Sequence, residues 1–160
     1  MAARPHPPNA TARLLAVALS ALAIAVAGCG ESKQESYRKG VQAVNRDLGQ
    51  LGRVVFRGLV SARGKTNPQF RREFSGYANR LHKIQGDLDR LDPPSRLARE
   101  QDALVRAIGQ LQRSLRGVAD LAAGKATVTA ARRALNGLFI TSAAVKRARE
   151  RLTRDAAKNG

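Results

Sequence analysis

Four stretches of the 160-residue chain carry apolar side chains at alternating steps of three and four residues, the spacing of one face of an α-helix. The series occupy residues 37–55, 70–91, 97–118 and 128–152, and the third is interrupted by Gln101. Alternation typical of β-strands is sustained nowhere in the chain. The pattern therefore predicts an all-α fold of four amphipathic helices that pack through a seam like that of a coiled coil.

Short turn sequences separate the four series. Asn67 is the expected N-cap of the second helix, and two prolines from Pro93 end that helix because proline disfavours helical geometry in the residue before it. Gly124 is expected to close the third helix and Thr127 to cap the fourth. Such short connections join antiparallel neighbours, so the sequence predicts an antiparallel up-down-up-down four-helix bundle over residues 37–160.

The first predicted helix contains four internal glycines, at Gly40, Gly49, Gly52 and Gly58. Each costs about 1 kcal/mol relative to alanine in a helix interior. We expect these glycines to permit close contact with a neighbouring helix, and the alternative is a first helix that is bent or frayed.

The first 28 residues have the pattern of a secretory signal. Residues 1–13 contain two arginines and no acid, and the next 14 residues, 14–27, are uncharged and mostly apolar. That run is shorter than the roughly 20 residues that a helix needs to cross a bilayer. A basic start, a short apolar middle and small residues at the end are typical of a cleaved export signal.

The only cysteine, Cys29, comes directly after this run. The residues Val26-Ala27-Gly28-Cys29 resemble the lipobox of bacterial lipoproteins. This resemblance implies that signal residues 1–28 are cut off between Gly28 and Cys29, and that the thiol receives a diacylglyceryl group. It also implies that the new amino terminus is often acylated, for example with palmitate. The alternatives are an ordinary signal with an incidental cysteine or an uncleaved signal anchor.

A lipidated Cys29 implies that the protein is attached to the extracytoplasmic face of the cell membrane. The attachment is stable because two or more acyl chains hold a protein where one does not. Residues 29–36 are then the lipidated cysteine and a polar tether. Once Cys29 is modified no thiol remains for a disulfide or a cysteine metal site.

Residue groupings typical of catalysis or metal binding do not occur in the sequence. A di-iron site needs Glu-x-x-His motifs, but residues 29–160 contain one histidine, His82, which is expected to be solvated. Zinc clusters, c-type haem motifs and glycine-rich phosphate loops do not occur either. Asp87, Asp89 and Asp92 are expected to cap a helix end and promote solubility. The sequence predicts a non-enzyme without a metal or other cofactor.

Positive charge is the strongest remaining signal. Residues 29–160 contain 27 Lys and Arg against 12 acids, for a net charge of +15. The predicted topology places the basic end of the fourth helix near the lipid, where each cation contributes about 1 kcal/mol at an anionic surface. The candidate membrane or anion contacts are Lys146, Arg147, Arg149, Arg151, Arg154 and Lys158.

The lipobox, the arginine- and alanine-rich helices and the Leu-x-Pro-Pro turn at 91–94 together resemble small helical lipoproteins of GC-rich, actinobacteria-like bacteria. This resemblance implies no activity. We expect a non-catalytic binding or scaffolding module that uses its basic surface or a groove to hold anionic lipid head groups, wall polymers or a partner protein. The alternative is a purely structural lipoprotein. An exported chain without a recognition motif is not expected to bind nucleic acid.

Overall fold

The computed structural model describes residues 32–124 and 126–158, and these ranges are all-helical, without a strand. They contain three short 3₁₀ turns and four long helices, which are α1 (Lys33–Val60), α2 (Asn67–Asp89), α3 (Ala98–Asp120) and α4 (Val128–Ala157). The predictions of an all-α fold and of four helices are confirmed. The predicted signal 1–28, its cleavage site and Cys29 lie outside the described residues.

Helix α1 begins earlier than the sequence predicts. Its first residue is Lys33, and the Ser32 side-chain oxygen accepts a hydrogen bond of 3.2 Å from the Glu35 backbone N–H. This side-chain cap satisfies one of the N–H groups that a helix start leaves unpaired. Residues 33–36, predicted to belong to a polar tether, are therefore the first turn of α1.

The starts of α2 and α4 follow the predicted turn chemistry closely. Thr66 is the N-cap of α2, one residue before the predicted Asn67, and its backbone N–H donates to the Gln69 side chain at 3.0 Å. Thr127 caps α4 as predicted, because its side-chain oxygen accepts from the Ala130 backbone N–H at 3.2 Å.

The four apolar series form one shared core. Helix α3 packs extensively against both α2 and α4, α1 packs on α2, and α1 and α4 contact each other little. Val128 is an exception, since this first residue of α4 is 77% exposed instead of contributing to the core. The largest fully buried side chains are Phe74, Leu81, Leu88, Leu104, Ile108, Leu115, Leu138, Leu152 and Val118.

Gln101, the polar interruption of the third series, has a structural partner. Its buried side-chain amide donates to the backbone oxygens of Leu88 and Leu91, at 3.1 and 3.2 Å. Carbonyl groups at the end of a helix lack partners within that helix. Gln101 therefore links α3 to the end of α2, where the Leu88 oxygen also accepts from the Leu91 backbone N–H.

The glycines of α1 fall into two kinds. A Cβ atom on Gly58 would lie 2.8 Å from the Tyr77 hydroxyl, and one on Gly40 would lie 2.5 Å from a Leu91 methyl carbon. At Gly52 a Cβ atom would have no atom of another group within 4 Å. The expectation of close helix contact therefore holds at Gly40 and Gly58 and is wrong at Gly52.

A hydrogen-bonded triad joins the start of α2 to the preceding turn. The Glu73 carboxylate accepts hydrogen bonds from the Lys65 ammonium and the Tyr77 hydroxyl. The bond from Lys65, and then that from Tyr77, lower the pKa of Glu73 because both donors stabilise the ionised carboxylate. Burial, and secondly the bond to Glu73, raise the pKa of Tyr77 to about 12.

The two kinds of glycine should respond oppositely to alanine. We expect Gly52→Ala to raise the free energy of unfolding by up to about 1 kcal/mol, because alanine favours the helix and its methyl group meets no other atom. Gly58→Ala should lower it by about 1–3 kcal/mol, because the methyl group displaces the Tyr77 ring. Urea unfolding followed by circular dichroism measures both, and equal shifts would contradict this assignment.

The triad predicts a specific pH dependence. The pKa of Glu73 is lower in the folded than in the unfolded chain, so its stabilisation is present above the unfolded carboxyl pKa and lost as pH falls through the folded value. Glu73→Gln should cost about 1 kcal/mol of unfolding free energy at pH 7 and less at pH 3. Asp102→Asn, at an exposed position of α3, is the control. A loss for Glu73→Gln that is equal at both pH values would refute this role.

Candidate functional site

Helix α4 presents the six candidate basic residues in more than one direction. Lys146 and Arg149 line a groove between α1 and α4, whereas Arg147 and Arg151 line a cleft between α3 and α4. The remaining two, Arg154 and Lys158, are exposed in the last turns. The structure therefore places two of the six residues in the groove and two in the cleft, and the other two line neither.

The cleft between α3 and α4 is lined by four arginines, and we call it the arginine cleft. It has a volume of about 410 Å³. Alanines line it together with the arginines, and their small side chains leave room between the two helices. Its lining residues are Arg99, Glu100, Ala103, Arg106 and Ala107 of α3 and Ala144, Arg147, Ala148 and Arg151 of α4.

Positive charge in the arginine cleft is poorly neutralised. Glu100 is the only acid among the lining residues, and no ion pair of the four arginines occurs within the described parts of the chain. Arginine stays charged at all physiological pH values, and its planar fork matches the oxygens of carboxylates and phosphates. The cleft can therefore hold an anion that has several oxygen atoms.

Arg99 and Arg106, the two cleft arginines of α3, lie outside the basic candidates that the sequence indicates on the fourth helix. Arg99 and Arg106 are seven residues apart, and Arg147 and Arg151 are four apart, so each pair lies on one face of its helix. That spacing could have indicated two basic faces. It could not have shown that the two faces meet.

The groove between α1 and α4 is almost entirely apolar, and we call it the apolar groove. Its volume is about 350 Å³, and Leu81, Leu111 and Leu115 reach it from α2 and α3. Helix α1 contributes Leu48, Gly49, Leu51, Gly52, Val55, Phe56 and Leu59, and α4 contributes Leu138, Phe139, Ser142, Val145, Lys146 and Arg149.

Cations and exposed aromatic rings border this groove. A Cβ atom on Gly49 would lie 3.9 Å from a guanidinium nitrogen of Arg53 and 4.0 Å from one of Arg149, so the two side chains converge there. Lys146 is 3.9 Å from Glu150, which is a long and exposed ion pair. Phe56 and Phe139 are 66% and 62% exposed although both line the groove.

A third cavity, of about 430 Å³, lies where the start of α1, the turn before α3 and the end of α4 come together. Its lining includes Tyr37, Arg38, Arg96 and Ala156. Burial, and secondly the negative charge of Glu100, raise the pKa of Tyr37 to about 12. The buried Tyr37 hydroxyl has no hydrogen-bond partner among the described residues. Two basic residues, Arg38 and Arg96, therefore line a cavity at the end of the domain where α1 starts.

The other groups considered for chemistry lie apart from these cavities. His82 and Asp89 are exposed on α2, and Asp87 forms an ion pair with Arg90 one turn later. In residues 32–124 and 126–158, no group of three or more His, Cys, Asp or Glu side chains could hold a metal ion. Among the described helices, none combines the length and the apolar character that a membrane span requires.

Comparisons of the chain with protein-family models, curated proteins and solved structures returned no match. The arginine cleft, the apolar groove and the sequence before α1 are therefore the features of this chain that bear on its function.

Proposed function

We propose that this protein is an extracytoplasmic lipoprotein, anchored in the cell membrane through Cys29, whose helical domain is a non-catalytic binding module for an anionic component of the envelope. The arginine cleft is the observation that carries this proposal, since four arginines and a single acid line it. A wall polymer with repeated phosphate or carboxylate groups has the charge and the oxygen atoms that such a cleft recognises.

The same proposal includes an antiparallel up-down-up-down arrangement of the four helices. Contacts between α1 and α2 support it, because Gly40 lies beside Leu91 and Gly58 beside Tyr77, so residue numbers rise on one helix as they fall on the other. Further contacts agree with this order, and they join Gln85 to Val105, Gln101 to Leu88, Thr141 to Ser114 and Asn45 to Thr153.

The anchored end of such a bundle would lie close to lipid head groups. Cys29 precedes the first residue of α1 by four positions, and the cavity at this end is lined by Arg38 and Arg96. Cations near an anionic surface contribute about 1 kcal/mol each. Electrostatic adhesion would therefore supplement the acyl anchor without replacing it.

A purely structural lipoprotein is the second candidate function. Arginine and alanine are abundant along the whole chain, so part of the net charge reflects composition and serves solubility. The arginine cleft favours the binding module, because its four arginines share one cleft with a single acid.

The arginine cleft predicts selective loss of polyanion binding. We expect the quadruple change of Arg99, Arg106, Arg147 and Arg151 to Gln to weaken retention of the full-length protein on immobilised polyphosphate. The slope of log affinity against log salt should fall by about 3, because each lost phosphate contact removes about 0.7–0.9. The control changes Arg63, Arg71, Arg72 and Arg132 to Gln, with the same loss of charge. Equal losses for both variants would favour the structural alternative.

Anchorage through Cys29 predicts a change in processing and in the mode of attachment. We expect Cys29→Ser to abolish both acylation and cleavage after Gly28, so that the membrane-bound protein is held by the uncut residues 14–27 instead of by acyl chains. Mass spectrometry of the mature amino terminus, together with fractionation of cells, measures both effects. A Cys29→Ser protein that is processed and retained like the wild type would contradict the lipoprotein assignment.

A further inference from the structure

We propose that the apolar groove binds the hydrocarbon chain of a free single-chain lipid with an anionic head group, such as a fatty acid. This site uses other side chains of α4 than the arginine cleft does. It goes beyond the polymer binding proposed above and does not depend on it.

The groove exists because α1 lacks side chains where a closed seam would need them. Gly49 and Gly52 line it from α1, and Ser142 lines it from α4 at a position of the apolar series. A Cβ atom on Gly52 would meet no atom within 4 Å. The two helices contact each other little, so an apolar channel floored by core leucines remains between them.

The dimensions of the groove suit a chain of about a dozen carbon atoms. Its α1 residues run from Leu48 to Leu59, which corresponds to about 16 Å of helix. An extended chain of single bonds advances by about 1.2 Å per bond, which gives about 13 bonds over that length. The volume of about 350 Å³ is within the range of small-ligand sites.

Charge specifies the head group. Lys146 and Arg149 are the only charged residues among those that line the groove, and the Arg53 guanidinium approaches Gly49 beside that of Arg149. Leu138 and Phe139 line the groove two turns earlier in α4, where it has no charge. An anionic lipid could therefore place its head group at the cations and its chain along the leucines.

Other occupants match this charge less well. Residues 29–160 of a second copy would bring a further net +15 towards Lys146 and Arg149. The chain's own apolar residues 14–27 follow Arg13 and contain no acid. Either occupant would bring no net negative charge to Lys146 and Arg149, whereas a carboxylate or phosphate head group would supply one.

Photo-crosslinking of the full-length protein in isolated membranes tests this proposal. The probe is a 12-carbon fatty acid with a diazirine on its chain, and peptide mass spectrometry locates the adducts. We expect adducts on residues 48–59 and 138–149, and excess dodecanoate should lower their yield by competing for the groove. Gly52→Leu should lower the adduct yield at least tenfold, because its side chain fills the groove. Gly76→Leu, at an exposed α2 glycine that also has no atom within 4 Å, should leave the yield unchanged.

A second variant tests the head group while leaving the groove open. The double change Lys146→Gln and Arg149→Gln should weaken competition by dodecanoate about tenfold and leave competition by the uncharged dodecanol unchanged. Circular dichroism establishes that each variant keeps its helices. If Gly52→Leu fails to fold, this charge variant still decides between an anionic lipid and any apolar ligand.

Three results would overturn the proposal. These are equal adduct yields in Gly52→Leu and the wild type, equal competition of the wild type by dodecanol and dodecanoate, and a dimer that Gly52→Leu converts to monomer in sedimentation. The last result would identify the groove as a surface between two copies. If the protein is found in the soluble fraction, the proposed anchorage fails, but adduct yields in that fraction still test the groove.

Discussion

The packing of α3 between α2 and α4 is the contact on which the rest of the described structure depends. Leu104, Ile108 and Leu115 of α3 are fully buried, and each such side chain contributes about 1.5–3 kcal/mol when it leaves water. Gln101 adds a polar link between the start of α3 and the end of α2. Helix α3 therefore holds both α2 and α4, whereas α1 packs mainly on α2.

This unequal packing explains why the apolar groove lies beside α1. Helix α1 is held mainly on α2 by Tyr37, Val41, Val44, Leu48 and Leu51, and its other edge faces α4 without closing on it. Glycines at 49 and 52 keep that edge thin. The shared core and the groove therefore have the same cause. Apolar side chains are dense on α3, and they are sparse on the edge of α1 that faces α4.

The Lys and Arg side chains lie mostly on the outer surfaces of the packed helices. The ion pairs formed within the described residues are mostly exposed pairs within one helix, such as Arg38 with Glu35, and such pairs contribute little stability. Most of the cations therefore remain available to solvent or to a partner. The arginine cleft concentrates them where α3 and α4 meet, and the groove carries two more at its border.

Local periodicity determined the helical class, the four helices and most of the core, because a stripe of apolar residues must be buried wherever its helix packs. The capping residues predicted the N-cap of α4 correctly at Thr127 and the N-cap of α2 one residue away from Thr66. This worked because the capping hydrogen bonds join residues only three apart. The first turn of α1 was missed because its cap, Ser32, lies in a polar segment without apolar periodicity.

Tertiary structure alone decided which basic residues share a site. Lys146 and Arg147 are neighbours in the chain, but successive helical residues point about 100° apart, so they line different cavities. Arg106 joins Arg147 only because α3 and α4 pack together. The groove at Gly52 likewise depends on how far α4 lies from α1, a distance that is set by the packing of both helices on α2 and α3.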